Sequence, residues 1–275
     1  MSENTRIVER TFHVPVEDDG LYVKLLLHAT PEVEEVRPTW IFLHEALGSV
    51  AQWKSFPFEL CRATSCDGVV YDRVGHGRST AMRKKRDTDF YREEAEVYLH
   101  GLMQELNIRR PLLFGHSDGA TIALKYAACF PDATVGVVSE AAHVFIEERT
   151  LSGIRDAREH YATTDMREKL SRYHGEKTDA VFTAWAETWL DPSLTEWEMF
   201  DDLCRIHSPV LVIQGEDDRF GSRRQVDAIR KYVPAPTQVL WLEGTGHVPH
   251  VEAREVLINQ TIDWLSSLIS ETGLE

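Results

Sequence analysis

Short apolar runs alternate along the chain with segments of helical periodicity. The runs are almost continuously hydrophobic and end in polar or glycine-rich loops: TWIFLHE (39–45), GVVYDRV (68–74), PLLFGHS (111–117), TVGVVSEA (134–141), PVLVIQGE (209–216) and TQVLWLE (237–243). Such runs are typical of parallel strands that are covered on both faces. Helices are predicted between most of them, at about 52–64, 89–107, 119–130, 222–233 and 251–270. The alternation predicts a mostly parallel α/β sheet with helices on both faces.

Two more strands are predicted at the beginning of the chain. RIVERTFHVPV and YVKLLLHA flank the turn sequence EDDG, as expected for an antiparallel pair. With the six later runs they predict an eight-stranded sheet. Ligands of such sheets bind beyond the carboxyl ends of the strands, so functional residues are expected in the loops that follow the strands.

The interval 144–205 breaks the alternation. It contains no strand-like run, whereas EERTLSGIRDAREHYA, DMREKLSRYH and DAVFTAWAETWL are typical of helices. We interpret this interval as an α-helical cap over the functional edge of the sheet, with 1–143 and 206–275 forming the core. Most aromatic residues of the cap are expected to fill its own small core, and Trp185 and Trp189 are the candidates for contact with a substrate.

Composition argues against several classes of protein. A formal net charge of -15 over 275 residues disfavours nucleic acid or an anionic membrane as a partner. No apolar segment reaches the about 18 residues of a membrane span, and MSENTRIVER lacks the features of a signal peptide. The cysteines have no metal-binding spacing, so we expect thiols in a cytoplasmic protein; they are Cys61, Cys66, Cys129 and Cys204. A monomer and a homodimer both remain open.

A G-x-S-x-G sequence occupies the junction between an apolar run and a predicted helix. Ser117 lies between Gly115 and Gly119, in the stretch PLLFGHSDGATIALKYA. A serine on such a sharp turn needs small neighbours, and its hydroxyl is exposed at the beginning of a helix, where negative charge is favoured. The pattern predicts that Ser117 is a nucleophile.

A serine nucleophile needs a base and a group that orients the base. The strand PVLVIQG is followed by EDDRFG, which offers Glu216, Asp217 and Asp218 as acids. The next strand is followed by GTGHVPH, which offers His247 and His250 as bases. All these loops follow strands, so they are expected at the same edge of the sheet as Ser117.

The order of these motifs resembles the α/β-hydrolase superfamily over nearly the whole chain. The matching pieces are GHSDG, YDRVGHGRS (71–79), GEDD and GTGH. The resemblance implies an α/β-hydrolase fold and a catalytic triad of Ser117, Asp218 and His247, with Asp217 or Glu216 as the alternative acid. It also implies an oxyanion hole made by the backbone N–H groups of Asp118 and Ala46. Glu45 replaces a glycine that is common in relatives, so Leu47 is an alternative donor.

Four residues near these motifs are candidates for substrate contact or local electrostatics. Asp118 follows the nucleophile directly, and either pairs with a neighbouring arginine or backbone amides or binds a polar substrate group. Together with Glu45 and Glu140 it places up to three carboxylates around one edge of the sheet, which predicts an electronegative or heavily hydrogen-bonded rim. His143, close to Glu140, either faces the substrate pocket or packs where the cap begins.

These residues predict a serine hydrolase without a metal or organic cofactor. The expected substrate is a carboxylic ester with a small or medium acyl group, cleaved through an acyl-enzyme. Thioesters, lactones and the C–C bonds of ring-fission dienoates are alternatives, and the resemblance extends to pimeloyl-ACP methyl ester esterases. A ligand-binding protein without catalysis and cofactor-free oxygen chemistry are alternatives of other classes.

Overall fold

The computed structural model of the protein describes residues 6–29, 38–84, 86 and 89–272. These residues form one sheet of eight strands: β1 (Ile7–Val16), β2 (Asp19–His28), β3 (Thr39–Leu43), β4 (Asp67–Tyr71), β5 (Pro111–His116), β6 (Gly136–Glu140), β7 (Val210–Gly215) and β8 (Thr237–Leu242). Their spatial order is β1-β2-β4-β3-β5-β6-β7-β8. The pairs β1–β2 and β2–β4 are antiparallel, and all other pairs are parallel. The predicted fold class is confirmed.

Helices connect the strands at most of the predicted places. They are α1 (Phe56–Thr64), α2 (Phe90–Glu93), α3 (His100–Glu105), α4 (Asp118–Cys129), α5 (Glu148–Thr163), α6 (Met166–His174), α7 (Thr178–Trp189), α8 (Phe200–Leu203), α9 (Arg223–Tyr232), α10 (Pro249–Glu252) and α11 (Arg254–Thr272). A π-helical stretch, Glu94–Leu99, joins α2 to α3, so the helix predicted at 89–107 is continuous but not regular. The helix predicted at 251–270 is interrupted at Ala253, between α10 and α11.

Both faces of the sheet are covered by apolar packing. In β3, Ile41 and Leu43 belong to the larger hydrophobic cluster, whereas Trp40 and Phe42 point to the smaller one on the opposite face. This alternation follows from the two-residue period of a strand. The larger cluster includes residues of α3, α4 and α9, and the smaller one includes residues of α1 and α11. The parallel strands are almost continuously hydrophobic because both of their faces are buried in this way.

Helices α5 to α8 lie between β6 and β7 and form what we call the helical insert, residues 144–205. Its two ends are joined, because Phe145 and Glu198 form an isolated antiparallel bridge and the N–H of Met199 donates to the carbonyl of Val144 at 3.0 Å. The bridge is the only strand-like feature that the structure describes in this interval. The insert therefore begins and ends at one place beside the sheet.

Two further expectations concern membranes and cysteines. None of the helices in the described part of the chain is both long and apolar enough to cross a membrane. All four cysteines lie in the described residues, and none takes part in a disulfide.

Candidate active site

Ser117 lies on a strained turn between β5 and α4. Its backbone has φ 54° and ψ -118°, a conformation that is unusual for a residue other than glycine. The flanking glycines are required by close backbone approach. A Cβ atom at Gly115 would lie 2.3 Å from the carbonyl oxygen of Gly119, and one at Gly119 would lie 2.0 Å from the carbonyl oxygen of Leu43. The turn therefore places the Ser117 side chain at the end of the sheet.

Replacing Gly119 by Ala should destabilise the protein, because the new methyl group would meet rigid backbone of β3. Overpacking of this kind costs about 1–3 kcal/mol or more. Urea unfolding followed by circular dichroism measures the loss. The matched control is Gly20→Ala, where the nearest atom to the added Cβ is Thr80 Oγ1 at an ordinary 3.6 Å. Equal stability of the two variants would contradict the assigned role of Gly119.

His247 and Asp218 form a buried hydrogen-bonded pair. His247 Nδ1 lies 2.9 Å from each carboxylate oxygen of Asp218. The carboxylate also accepts hydrogen bonds from Gln214 Nε2 at 2.7 Å and from the N–H of Phe220 at 2.8 Å. Its predicted alternative Asp217 is exposed. Among the three candidate acids, the structure therefore brings Asp218 to His247.

The pair has opposite pKa shifts. Burial alone would raise the pKa of Asp218, but the charge of His247 and the hydrogen bonds to the carboxylate outweigh it and lower this pKa well below its usual range. Burial would likewise lower the pKa of His247, but Asp218 outweighs it and raises this pKa. Asp218 thus stays ionised and makes the imidazole a stronger base.

Two backbone N–H groups at this site have no acceptor in the described chain. They belong to Ala46, in the loop after β3, and to Asp118, the first residue of α4. Ser117, Ala46 and Asp118 line one common cavity. Two unpaired N–H groups that line the same cavity as a serine hydroxyl match the expected composition of an oxyanion hole.

Glu45 folds back onto its own loop. Its Oε2 accepts a hydrogen bond from the N–H of Leu47 at 2.7 Å. The alternative donor Leu47 is therefore already engaged, which favours Ala46. Burial raises the pKa of Glu45, although the hydrogen bond from Leu47 and the charge of His247 lower it in part.

Side chains from elsewhere hold the carbonyl groups of the same loop. Arg73 Nη2 donates to the carbonyl of Glu45 at 3.0 Å, and His76 Nε2 donates to that of Ala46 at 2.9 Å. His174, the last residue of α6, donates from Nε2 to the carbonyl of Leu47 at 2.9 Å, while its Nδ1 accepts from the N–H of Gly77 at 3.0 Å. The helical insert thus contributes directly to the conformation of the loop.

The carboxylate of Asp118 is paired. Tyr91 donates its hydroxyl to Asp118 Oδ1 at 2.9 Å, and guanidinium nitrogens of Arg73 and Arg86 lie 4.0 and 3.8 Å from Oδ2. Burial lowers the pKa of Arg86 to about 10, which leaves it charged at neutral pH. Pairing with arginine, one of the two predicted alternatives, balances the negative charge next to Ser117.

Glu140 adds no exposed carboxylate to a rim, so the electronegative form of the prediction is wrong for this residue, whereas the heavily hydrogen-bonded form describes it. Its side chain is fully buried and accepts hydrogen bonds from His250, from the N–H at 2.6 Å and from Nδ1 at 2.8 Å to Oε2. Burial would raise the pKa of Glu140, but the charges of His250 and His116 outweigh it and lower this pKa. His116 in turn donates from Nε2 to the carbonyl of His247 at 2.7 Å. Hydrogen bonds from this cluster therefore fix the loop that carries His247.

His116, Glu140 and His250 each offer one atom that could bind a metal ion, and these atoms lie within 4.8 Å of one another. However, His250 Nδ1 is directed at Glu140, and His116 Nε2 is directed at a backbone carbonyl. Hydrogen bonding within the protein accounts for these atoms, so the geometry gives no support for an ion.

Four of the predicted substrate-contact residues, Glu45, His143, Trp185 and Trp189, line a cavity of about 100 Å³ between the sheet and the insert, and Glu140 is not part of its lining. Its polar lining includes Ser117, His247, Glu45 and His143. Most of the remaining lining is apolar, and the insert supplies Ile154, Ala157, Met166, Trp185 and Trp189. A second, open groove of about 330 Å³ shares Glu45 and His247 with the cavity and extends past His116, His250, Val248 and Val251. The imidazole therefore lies between an inner apolar space and an outer groove.

Comparison with known proteins decides the family. The model of the alpha/beta hydrolase family matches residues 25–260. The chain belongs to the alpha/beta hydrolase family. The family predicted from the motifs is thereby confirmed.

Individual relatives of this alpha/beta hydrolase are distant. The human serine hydrolase BPHL is 27% identical over 186 residues, which are 64% of this chain and 62% of the relative. Lipase 1 of Psychrobacter immobilis is 26% identical over 207 residues, 67% of this chain and 64% of the relative. The matched part thus spans less than two thirds of these curated relatives.

Solved structures share the fold of this alpha/beta hydrolase. Proline iminopeptidase of Mycobacterium smegmatis has a TM-score of 0.70 at 18% identity, over 94% of this chain and 98% of that chain. A structure from a study of carboxylesterases of the thaumarchaeon Nitrososphaera gargenis has a TM-score of 0.72 at 18% identity, over 96% and 100% of the two chains.

Sequence reasoning missed several residues that organise the site of this alpha/beta hydrolase. Tyr91 and His174 come from helices far along the chain, and neither lies in a recognisable motif. Arg73 lies within the motif YDRVGHGRS and near the end of the apolar run GVVYDRV (68–74). A charged residue in such a run was the signal that could have indicated its role. A buried charge needs partners, and Arg73 is fully buried.

Proposed function

We propose that the protein is a serine hydrolase that cleaves short-chain carboxylic esters through a Ser117–His247–Asp218 triad. The observation that carries the proposal is the 2.9 Å pairing of His247 Nδ1 with both oxygens of Asp218, in a ring that borders the same cavity as Ser117. The names of the lipase and carboxylesterase relatives denote ester cleavage in those proteins, which supports an ester as the substrate class.

In the first half of the reaction the Ser117 hydroxyl attacks the ester carbonyl, and His247 Nε2 takes its proton. Asp218 keeps the Nδ1 proton in place and stabilises the imidazolium that forms. The imidazolium then gives its proton to the departing alkoxide, which leaves as an alcohol. In the second half His247 removes a proton from water, the resulting hydroxide attacks the acyl-serine, and Ser117 recovers its proton as the acid leaves.

The N–H groups of Ala46 and Asp118 stabilise the negative oxygen of each tetrahedral intermediate. Such donors act because they are already oriented and therefore need no rearrangement when charge develops. The hydrogen bonds that hold the loop through Arg73, His76 and His174 supply this orientation. Losing one donor costs about 3–4 kcal/mol of transition-state stabilisation.

The two spaces beside His247 correspond to the two halves of an ester. The oxyanion donors border the inner cavity, so the acyl group, whose carbonyl they bind, occupies that cavity. The leaving oxygen must meet His247, which also borders the groove, so the alcohol group extends along the groove. The cavity of about 100 Å³ is small compared with the about 300–1,000 Å³ of ordinary ligand pockets, which favours a short acyl chain.

Covalent labelling tests the proposal. Diethyl p-nitrophenyl phosphate is expected to react once per chain, release one equivalent of p-nitrophenol and leave a diethylphosphoryl group on Ser117, because an activated serine displaces the phenol at phosphorus. Intact-mass and peptide mass spectrometry locate the adduct, and p-nitrophenyl butyrate reports the accompanying loss of esterase activity.

The Ser117→Ala variant should take up no label, whereas Ser152→Ala, a change at an exposed serine of α5, should behave as the parent. Labelling at another residue, or ester hydrolysis that persists after complete modification of Ser117, would refute the proposed nucleophile.

A further inference from the structure

His143 is a buried histidine that the proposed mechanism does not use. It follows β6 by three residues and is 3% exposed. Neither ring nitrogen makes a hydrogen bond within the described part of the chain. Buried polar atoms in native proteins nearly always have a partner, because an unpaired donor or acceptor is costly. This imidazole therefore needs a partner that the protein does not supply.

The ring lies at the proposed acyl cavity. His143 lines this cavity together with Ser117, and its ring centre is 5.2 Å from that of Trp189 and 6.1 Å from that of His247. Its own backbone is fixed, because Thr121 Oγ1 donates to its carbonyl at 2.8 Å. A partner for the ring can therefore come from a molecule in the cavity.

The charge state of the ring restricts the partner. Burial lowers the pKa of His143, and the neighbouring charge of His247 lowers it further, while Asp218, Asp118 and the carbonyl of Phe220 raise it in part. At neutral pH the ring is uncharged, with one N–H donor and one nitrogen acceptor. The carbonyl of Phe220 accepts a 2.6 Å hydrogen bond from the Thr150 hydroxyl. Even a ring N–H directed at this carbonyl would leave the other ring nitrogen of His143 without a partner in the described chain. A neutral imidazole suits a neutral group that can both donate and accept.

A hydroxyl group has these properties. It donates to the bare nitrogen or accepts from the N–H, so it fits either tautomer of the ring. It is also small enough for a cavity of about 100 Å³. A carboxylate is disfavoured, because the ring offers it no positive charge and the carboxylate of Glu45 lines the same cavity.

We propose that His143 binds a hydroxyl group on the acyl chain, so that the preferred substrates are esters of short hydroxy acids. This inference rests on the proposed esterase function and deepens it by naming the class of acid. His143 is in this sense a specificity-determining residue: it contacts the substrate and takes no part in the proton transfers at Ser117.

Matched substrates provide the test. We compare kcat/KM for the p-nitrophenyl esters of 3-hydroxybutyrate and 3-methylbutyrate, and of 2-hydroxybutyrate and 2-methylbutyrate, since a methyl group has nearly the shape of a hydroxyl. Each kcat/KM is divided by the rate constant for alkaline hydrolysis of the same ester, which corrects for differences in the intrinsic reactivity of the esters. At least one hydroxy ester should exceed its methyl counterpart by about tenfold to a hundredfold, because the methyl leaves the buried imidazole unpaired.

Variants assign the preference to the ring. In His143→Leu the ratio should fall close to one, and in His143→Asn, which keeps a donor and an acceptor, part of it should remain. Met166→Leu is the matched control: it alters the apolar lining of the same cavity and should change both esters of a pair in proportion.

Three results would overturn the inference: a ratio near one for both pairs in the parent protein, a preference that survives in His143→Leu, or a preference lost equally in Met166→Leu. The first of these, with butyrate ester still hydrolysed in a Ser117-dependent way, rejects the hydroxy-acid inference and leaves the esterase proposal standing. If no ester is hydrolysed through Ser117, both proposals fail.

Discussion

Replacing Ser117 or His247 by Ala should lower kcat for p-nitrophenyl butyrate by about a millionfold, and the double variant should lose no more than either single one. The reason is that the two side chains act as one unit. Without the serine there is no oxygen for the histidine to deprotonate, and without the histidine the serine stays a weakly nucleophilic alcohol. Steady-state rates of p-nitrophenol release at saturating substrate, with purified variants whose folding matches that of the parent protein, provide the kcat values.

Two exposed positions supply the controls for this comparison. Ser152→Ala and His160→Ala change the same residue types on the outer surface of α5 and should retain the parent kcat. If the decrease in kcat of the double variant equalled the product of the two single decreases, Ser117 and His247 would act independently. The triad would then be the wrong description of the site.

Replacing Asp218 by Asn should lower kcat about ten-thousandfold, because the amide favours the wrong tautomer of His247 and cannot stabilise the imidazolium. The pH profile should change as well. In the parent protein Asp218 raises the pKa of His247, and the base acts only when neutral, so activity is lost as the pH falls through a value above the ordinary 6.5. Removing the carboxylate charge should move this acidic limb to lower pH.

Asp217→Asn is the matched control for this change. It is the adjacent carboxylate, but it is exposed, and its removal should alter kcat and the pH profile little. An acidic limb that stays in place in Asp218→Asn, or that moves in Asp217→Asn, would contradict the pairing as the origin of the raised pKa. The profiles of kcat/KM for the three proteins settle the comparison, since this quantity reports the free enzyme.

The sequence was most informative where local pattern and backbone chemistry coincide. The positions of the strands along the chain follow from continuous apolar runs, and the turn at Ser117 follows from glycines that the backbone requires. The three longer helices of the insert, α5, α6 and α7, could also be predicted, because each carries its own periodicity, whereas the four-residue α8 was not predicted. Irregular features inside helices, such as the π-helical stretch Glu94–Leu99 and the break at Ala253, have no comparable local signal.

Long-range pairing limited the prediction of the site. Glu140 and His250 are 110 residues apart, so their buried pair could not be inferred from either segment, and an electronegative or heavily hydrogen-bonded rim was predicted without naming a partner. The choice of Ala46 over Leu47 depends on where the Glu45 side chain turns, which the identity of the residue does not reveal. Backbone donors and buried ion pairs are properties of the folded chain.

The hydrogen bond from His174 to the carbonyl of Leu47 affects how the protein can be engineered. Exchanging the insert for that of another family member is an obvious way to change substrate range. Here such a chimera would remove the partner of two buried backbone groups, the Leu47 carbonyl and the Gly77 N–H, each at a cost of about 1–3 kcal/mol. A transplanted insert would therefore have to keep a histidine at this point, because selectivity and catalytic geometry are not separable modules in this chain.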